Sequence, residues 1–296
     1  MPDWLDTNAI SVLNGLAIGS LLFILAVGLS LVFGMMDVLN LAHGAVYLVG
    51  AYVAFALTED GTGWARFLIA IVGAGLLGGL LGGVLAGLTQ PLRQRGHLDQ
   101  ALLTLGAGLV LAEGLLLVFG NDVHSVAVPP ALSESFAVFG AAYPTYRLVL
   151  IGVGALLAVA VYLLVERTQL GALIRATVAD RQMVEALGVD SRKVLFGVFG
   201  AGAALAAVAG VLGGQIYGAR PGLDESVLIL ALVVVVIGGL GSIRGALIGA
   251  LLIGQVESLG RALLPEGAPF LMFGTMALVL LLRPTGLFGS VLPQRA

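Results

Sequence analysis

Residues 34–54 read GMMDVLNLAHGAVYLVGAYVA, and they place Asp37, Asn40 and His43 inside an otherwise apolar run. Polar side chains in apolar surroundings are costly unless they find hydrogen-bond partners. A break between two membrane helices provides such partners, because it frees backbone groups that must be satisfied within the protein. The stretch therefore predicts the end of one helix and the start of another, rather than a fault within a single helix.

The composition predicts an integral membrane protein. Of the 296 residues, 59% are hydrophobic and only 10% are charged, and apolar runs of membrane-spanning length recur from end to end. We expect an all-α polytopic helical bundle of about eight or nine transmembrane segments, forming one domain over residues 1–296, with the last three segments short or interrupted. The apolar segments fall at about 10–34, 38–57, 66–88, 101–119, 147–165, 194–217, 226–240, 246–259 and 270–283.

The distribution of arginine and lysine predicts the orientation, since cytoplasmic loops retain an excess of these residues. If the N-terminus lies outside and the C-terminus in the cytoplasm, ten basic residues lie inside and four outside. The inner residues are Arg93, Arg95, Arg167, Arg175, Arg181, Arg192, Lys193, Arg244, Arg283 and Arg295. The outer residues are Arg66, Arg147, Arg220 and Arg261.

Several functions are disfavoured by what the sequence lacks. It has no cysteine, so disulfides and thiolate sites are impossible, and its formal charge of -3 without a basic tail argues against nucleic acid. The only lysine, Lys193, is not part of a phosphate-binding loop. The three histidines lie in separate segments without metal-site spacing, and no GxSxG motif is present, so neither a metal site nor an enzyme is expected.

Small residues recur at a spacing of four and predict close helix packing. One row comprises Gly75, Gly79, Gly83 and Gly87, a second Gly202, Ala206, Gly210 and Gly214, and a third Gly241, Gly245 and Gly249. Each row lies along one helix face. The rows suit either static packing or surfaces that slide during transport, and static packing is the favoured interpretation.

Residues 166–193 form the longest basic loop and are expected to contain a short amphipathic helix. Thr177 and Asp180 have the spacing of a capping box, and Gly188 is placed to end the helix in a left-handed conformation. The helix would show one apolar face, composed of Met183, Val184 and Leu187. It could dock on a partner or simply lie on the lipid headgroups.

Four motifs together resemble the permease subunit of branched-chain amino acid ABC importers. They are LNLAHGAVYLVGAYVA at 39–54, RATVADRQMVEALGVDSRKV at 175–194 with AALAAVAGVLGG after it, VVIGGLGSIRGALIGALLIGQVES at 235–258, and LLRPTGLFG at 281–289. The resemblance runs from about residue 14 to 289. It is closer to the shorter of the two permeases that such importers pair.

This resemblance implies a plasma-membrane importer in which two homologous permeases form the pathway within membrane lipid. Two cytoplasmic ATPase subunits would bind ATP and magnesium, an extracytoplasmic binding protein would deliver substrate, and this chain would bind no cofactor. Leucine, isoleucine and valine are the implied substrates, with urea, short amides or other amino acids as alternatives. The family's ATPase-coupling loop maps onto Asp180, Met183, Val184, Glu185, Ala186, Leu187 and Gly188, although glycine follows EAL sooner than in the general EAA signature.

Two interruptions of the apolar pattern, one in each half of the chain, indicate the pathway, because helix ends at membrane depth expose polar backbone. The candidate residues are Asn40, His43, Gly44 and Tyr47 in the first interruption and Gly239, Gly241 and Ser242 in the second. Asn40, His43 and Tyr47 share one helical stripe. They could line the route, or Asn40 and His43 could cap a helix and satisfy broken backbone, and the structural role is favoured.

Two acidic residues, Glu113 and Glu257, lie in apolar surroundings and are functional candidates by position. Glu113 could bind a coupling proton or cation. It would then act with His43 in a rival function, a self-sufficient secondary transporter or channel. A bond to a neighbouring helix or a place at a subunit interface is the favoured interpretation.

Overall fold

The computed structural model describes residues 2–36, 39–59, 61, 63–94, 96–138 and 141–289. Asp37, Arg95 and Arg295, which carry expectations from the sequence, lie outside these residues. The helices are α1 Pro2–Met36, α2 His43–Thr58, α3 Trp64–Thr89, α4 His97–Phe119, α5 Pro130–Ser133, α6 Thr145–Arg167, α7 Gln169–Ala179, α8 Arg181–Ala186, α9 Ser191–Tyr217, α10 Leu223–Gly238, α11 Ile243–Leu263 and α12 Ala268–Leu282. Short 3₁₀ turns occupy Gln90–Gln94 and Pro265–Gly267.

Each of the nine apolar segments coincides with one helix, which confirms the polytopic helical bundle. Within the described part of the chain, seven helical spans are long and apolar enough to cross a membrane. Two others, α2 and α10, have 16 residues each, about 24 Å at 1.5 Å per residue. They are shorter than a hydrocarbon layer of roughly 30 Å, and each adjoins one of the predicted interruptions.

Helix α1 is the centre of the bundle and packs against α6, α9, α10 and α11. It runs antiparallel to α9, since Leu21 lies near Gly213 and Gly28 near Gly202. It also runs antiparallel to α11, because Gly15 lies near Gln255 and Gly19 near Ala250. The residues Leu21 to Ile24 of α1 are almost wholly buried, so the first apolar run of the sequence forms the core rather than the lipid-facing surface.

The predicted small-residue faces are confirmed on α9 and α11. The α9 row is buried throughout, and on α11 both Gly245 and Gly249 meet the backbone of α10. On α3, positions Gly75, Gly79 and Gly87 of the predicted row lie at ordinary contact distance from α9, but the closest approach is made by the neighbouring row of Gly78 and Gly82. The two overlapping rows have the same spacing, so only the tertiary contact distinguishes them.

A small β-hairpin connects α4 with α6 and was not predicted. Its strands, β1 Ser135–Val138 and β2 Ala141–Pro144, pair antiparallel with Ser135 opposite Pro144. An isolated bridge between His124 and Ala219 ties the preceding segment to the connection between α9 and α10. These connections therefore share one end of the bundle.

A matched pair of glycines on α3 tests this packing. A Cβ at Gly82 would lie 2.6 Å from the Cβ of Ala203 and 2.7 Å from the Phe199 carbonyl oxygen, whereas a Cβ at Gly83 would have nothing within 4 Å. We expect Gly82→Val to destabilise the protein by about 1–3 kcal/mol through overpacking, and Gly83→Val to leave stability unchanged. Thermal unfolding of the detergent-purified variants measures this, and equal melting temperatures would show that α3 and α9 do not pack in this register.

Candidate functional site

The first interruption places the start of α2 inside the bundle. Helix α1 ends at Met36 and α2 begins at His43, with Leu39 to Ala42 outside any helix. His43 Nε2 lies 3.0 Å from the carbonyl oxygen of Leu25, which is 11 residues before the end of α1, about 16 Å along its axis. The chain therefore returns into the bundle before α2 starts, as the sequence predicted.

Thr104 of α4 satisfies the broken backbone of this segment. Its hydroxyl accepts a hydrogen bond from the Leu41 amide at 3.1 Å and lies 3.0 Å from the carbonyl oxygen of Leu39. Thr104 is fully buried, and Gly108 one turn later lets Ala42 approach α4 closely. Sequence reasoning missed Thr104, whose only signal was a hydroxyl and a glycine four residues apart in an apolar run.

His43 is held by a single directed hydrogen bond. Its side chain is fully buried, and because a carbonyl oxygen only accepts, Nε2 donates to Leu25. In the neutral ring Nδ1 then carries the lone pair, and within the described residues it has no hydrogen-bond partner. His43 therefore links α2 to α1 through Nε2, and its Nδ1 is an acceptor without a donor among the described residues.

Asn40 does not cap α2. The N-cap of α2 is Ala42, which makes no side-chain bond, and the buried Asn40 amide has no partner among the described residues. The capping expectation for Asn40 is wrong, because Thr104 takes that role from another helix. The Tyr47 side chain is likewise buried, with its hydroxyl against Gly213 and without a partner in the described part of the protein.

Gly44 brings α2 against α10. A Cβ at this position would lie 2.9 Å from the Cβ of Leu228, and the backbone of Asp224 is closer still. Helix α10 thus begins beside the start of α2 and ends, at Gly238, at the second interruption. This one short helix therefore connects the two predicted interruptions.

The second interruption is satisfied by the C-terminal segment. Helix α10 ends at Gly238, and the Leu287 and Phe288 amides donate to the carbonyl oxygens of Ile237 and Gly238 at 2.8 and 3.0 Å. Sequence reasoning did not assign this role to the segment, which contributed only the LLRPTGLFG motif of the family resemblance. The carbonyl groups at the end of α10 are therefore satisfied by main-chain amides rather than by a side chain.

The start of α11 was placed correctly by the glycine-rich motif. Gly239 and Gly241 have φ values of +95° and +78°, a region that side chains disfavour. Ser242 is the N-cap, and its hydroxyl accepts from the Gly245 amide at 3.0 Å. Gly241 also lies against Gly34, so the second interruption packs on the end of α1.

The predicted short helix in the basic loop is α8, but its cap differs from the expectation. Asp180 is the N-cap and accepts from the Met183 amide at 3.0 Å, whereas Thr177 lies inside α7 and bonds to Leu173. The capping box centred on Thr177 is therefore wrong, because α7 continues through it. The predicted termination is present, since Gly188 has a φ of +85°.

Only part of the predicted apolar face of α8 is exposed. Val184 is 5% exposed and packs inward, while Met183 and Leu187 are 59% and 76% exposed. The Ser191 hydroxyl donates to the Glu185 carboxylate, which ties α8 to the start of α9. The loop thus presents two exposed apolar side chains, Met183 and Leu187, from a segment whose ends continue into α7 and α9. Ala186 lies between them in sequence and is also exposed.

The two acidic candidates lie in different surroundings. Glu113 is on an exposed face of α4, and the structure shows no hydrogen bond or ion pair between it and the buried His43. Glu257 is 6% exposed and pairs with Arg261 of the next helical turn at 2.6 Å. Ser258 beside it donates to Ser11 of α1 at 2.6 Å, so Glu257 belongs to a polar contact between α11 and α1.

The family described as "Branched-chain amino acid transport system / permease component" has a model that matches residues 11–282. The chain belongs to this family. It is 33% identical over 290 residues to the branched-chain amino acid transport system permease protein LivH of Escherichia coli, covering 93% of this chain and 94% of LivH. It is 34% identical over 294 residues to BraD of Pseudomonas aeruginosa, again covering 93% and 94% of the two chains.

Similarity to the longer permease is less complete. LivM of Escherichia coli is 30% identical over 305 residues, which cover 92% of this chain but 68% of LivM. The chain is therefore of the shorter, LivH type, as the motifs indicated. Among solved structures, PsaBC from Streptococcus pneumoniae in complex with Fab matches with a TM-score of 0.51 at 14% identity, covering 91% of this chain and 89% of that chain. This likeness supports the fold, and the chain is a multi-pass membrane protein.

The role of Thr104 can be tested by removing its hydroxyl. We expect Thr104→Val to leave the part-buried Leu41 amide and Leu39 carbonyl without this partner, at a cost of about 1–3 kcal/mol in unfolding free energy. Thr104→Ser should retain most of the stability, and Thr275→Val, which removes an exposed hydroxyl bonded only within its own helix, should change little. Thermal unfolding measures all three, and a Thr104→Val variant as stable as the parent would contradict the role.

Proposed function

We propose that the chain is the permease subunit of a binding-protein-dependent ABC importer and forms half of a pathway for leucine, isoleucine and valine. The family membership and the similarity to the branched-chain amino acid permeases LivH and BraD support the transport role and this substrate class. The family is one of transport subunits rather than enzymes. Urea, short amides or other amino acids are the alternative substrates that a test must distinguish.

The observation that carries this proposal is the geometry of α8. This short helix projects Met183 and Leu187, both more than half exposed, from a loop whose ends continue into α7 and α9. Apolar side chains on a rigid support suit insertion into a cleft of a partner. Movement of that partner would then be transmitted to the attached helices as a rigid displacement.

The partners follow from this role. Two cytoplasmic ATPase subunits would bind ATP and magnesium and receive the coupling loop, residues 166–193, while this chain binds no cofactor. A second homologous permease would complete the pathway, and LivM-type proteins are the natural class for it. An extracytoplasmic binding protein would deliver the substrate.

The proposed orientation puts the N-terminus outside and the C-terminus in the cytoplasm of a plasma-membrane protein. The loop that carries Arg175 lies at the same end of the bundle as Arg244 and the C-terminal segment, since all three border one cavity. Arg147 and Arg220 belong to the opposite end. This clustering supports the positive-inside assignment made from the sequence.

The pathway assignment rests on the two interruptions. Asn40, His43, Gly44 and Tyr47 lie together at the start of α2, and Gly239, Gly241 and Ser242 at the start of α11. In this conformation the first group is buried within the protein. We propose that it becomes accessible when α2 and α10 separate, and that a neutral zwitterion then passes beside these few polar groups.

The rival role of a self-sufficient secondary transporter lacks structural support. It needs Glu113 and His43 to act together, and these residues occupy an exposed and a fully buried position. Nothing in the described residues couples the two sites. The importer is therefore the function that we retain.

Reconstitution tests the proposal. The full complex, co-expressed with its ATPase subunits, second permease and binding protein, is placed in liposomes, and uptake of leucine, isoleucine, valine and urea is measured. We expect ATP-dependent uptake of the three amino acids only. Ion-driven uptake by this chain alone would overturn the importer, and ATP-dependent uptake of urea instead would overturn the substrate class.

Two glycines at opposite ends of the bundle test the coupling loop. Gly188 and Gly120 both have positive φ values and open space around them, so valine strains either turn by about 1–3 kcal/mol. We expect Gly188→Val to insert normally but to reduce substrate uptake per ATP hydrolysed by about tenfold, and Gly120→Val to keep this ratio. Parallel assays of uptake and ATP hydrolysis give the ratio, and an unchanged value for Gly188→Val would exclude α8 from coupling.

A further inference from the structure

A cavity of ≈ 500 Å³ lies beside the second interruption. Its walls come from the ends of α1 and α6, from α7, and from the start of α11. Charged side chains border it from separate elements, Glu166 on α6, Arg175 on α7 and Arg244 on α11. Helices α6 and α7 are consecutive in the sequence and α11 is distant from both, so the fold assembles a charged recess at one end of an otherwise apolar bundle.

The guanidinium groups of Arg175 and Arg244 have N–H donors that the following contacts do not use and that could bind a further acceptor. Arg175 donates to the Val165 carbonyl oxygen and lies 3.8 Å from Glu166. Arg244 donates to the Tyr162 hydroxyl at 3.1 Å and lies 5.3 Å from the centre of that ring. Each guanidinium carries five N–H donors. Since the lining holds two arginines and one glutamate, the recess has an excess of one positive charge.

The helix ends at the cavity differ in sign. The C-terminal ends of α1 and α6 contribute partial negative charge, which Arg175 offsets at α6 by its hydrogen bond to Val165, and the start of α11 contributes positive potential. Helix N-termini carry partial positive charge and favour anions, and Ser242, the N-cap, borders the cavity. The Ser242 hydroxyl accepts from the Gly245 amide, which leaves its own proton free to be donated. Arginines in fork geometry together with a helix N-terminus are the groups that proteins use for phosphate.

Part of the border of the recess is apolar. Leu240 and Phe288, which both line the cavity, are 49% and 47% exposed. A small inorganic anion has no apolar part that could contact these side chains. An amphiphile has one, because its acyl chains can cover Leu240 and Phe288 while its headgroup enters the recess.

We propose that this cavity binds the phosphate of an anionic phospholipid, with Arg175 and Arg244 as the phosphate ligands and Leu240 and Phe288 under the acyl chains. Glu166 competes with the phosphate for Arg175. A bound lipid joins α7, which leads into α8, to the start of α11. The proposal concerns lipid binding and is independent of what the protein transports.

The test measures binding of phosphatidylglycerol and phosphatidylcholine to the purified full-length protein by native mass spectrometry. We expect a preference for phosphatidylglycerol that Arg175→Gln and Arg244→Gln each weaken about tenfold, the size of one charged hydrogen-bond contact. Arg220→Gln, which removes an exposed arginine from the opposite end of the bundle, should leave the preference unchanged. Equal binding of the two lipids, or no effect of either cavity variant, would overturn the proposal.

Glu166→Gln separates a binding role from a structural one. If the cavity binds phosphate, this variant should bind phosphatidylglycerol more tightly than the parent, because it removes the competing carboxylate. If Glu166 and Arg175 only hold α6 to α7, it should bind no better, and that result would count against the proposal. Inorganic phosphate at millimolar concentration should fail to displace the lipid, and complete displacement would assign the site to free anions instead.

Discussion

The constraint on which this structure depends is that backbone groups freed inside an apolar bundle must be satisfied by the protein itself. Both interruptions obey it, by different means. At the first, Thr104 lies between the Leu39 carbonyl and the Leu41 amide. At the second, the C-terminal segment adds its own main chain to the last carbonyls of α10. In each case the partner comes from a distant part of the sequence, so a local break is held by tertiary structure.

These two solutions determine where the short helices can lie. Because α4 holds the segment before α2, His43 reaches the middle of α1 rather than its end. Because the C-terminal segment holds the end of α10, that helix stays between the two interruptions, with its first turn against Gly44. The glycine contacts between α1, α9 and α11 then allow the central helices to approach closely enough to bury both breaks.

Hydropathy and helix-breaking residues were sufficient to predict the nine apolar helices and the positions of both interruptions. They could not identify Thr104, because a single hydroxyl in an apolar run does not indicate that it bonds to the Leu41 amide, 63 residues away in the sequence. They also could not identify which of the overlapping glycine rows of α3 approaches α9 most closely, since both rows have equal spacing. The Thr177 cap failed for a related reason: local spacing fits a cap, but α7 continues through it and Asp180 serves instead.

The polar groups that remain unsatisfied are the strongest physical reason to retain the pathway prediction. Among the described residues, the Asn40 amide, His43 Nδ1 and the Tyr47 hydroxyl are all buried without a hydrogen-bond partner. Each such group costs about 1–3 kcal/mol, and replacement by apolar residues would remove that cost. Thr104 bonds the Leu41 amide and lies beside the Leu39 carbonyl, so the three unsatisfied groups are not needed for that part of the backbone. They lie together at the start of α2, and in the proposed pathway they pair with a polar solute when α2 and α10 move apart.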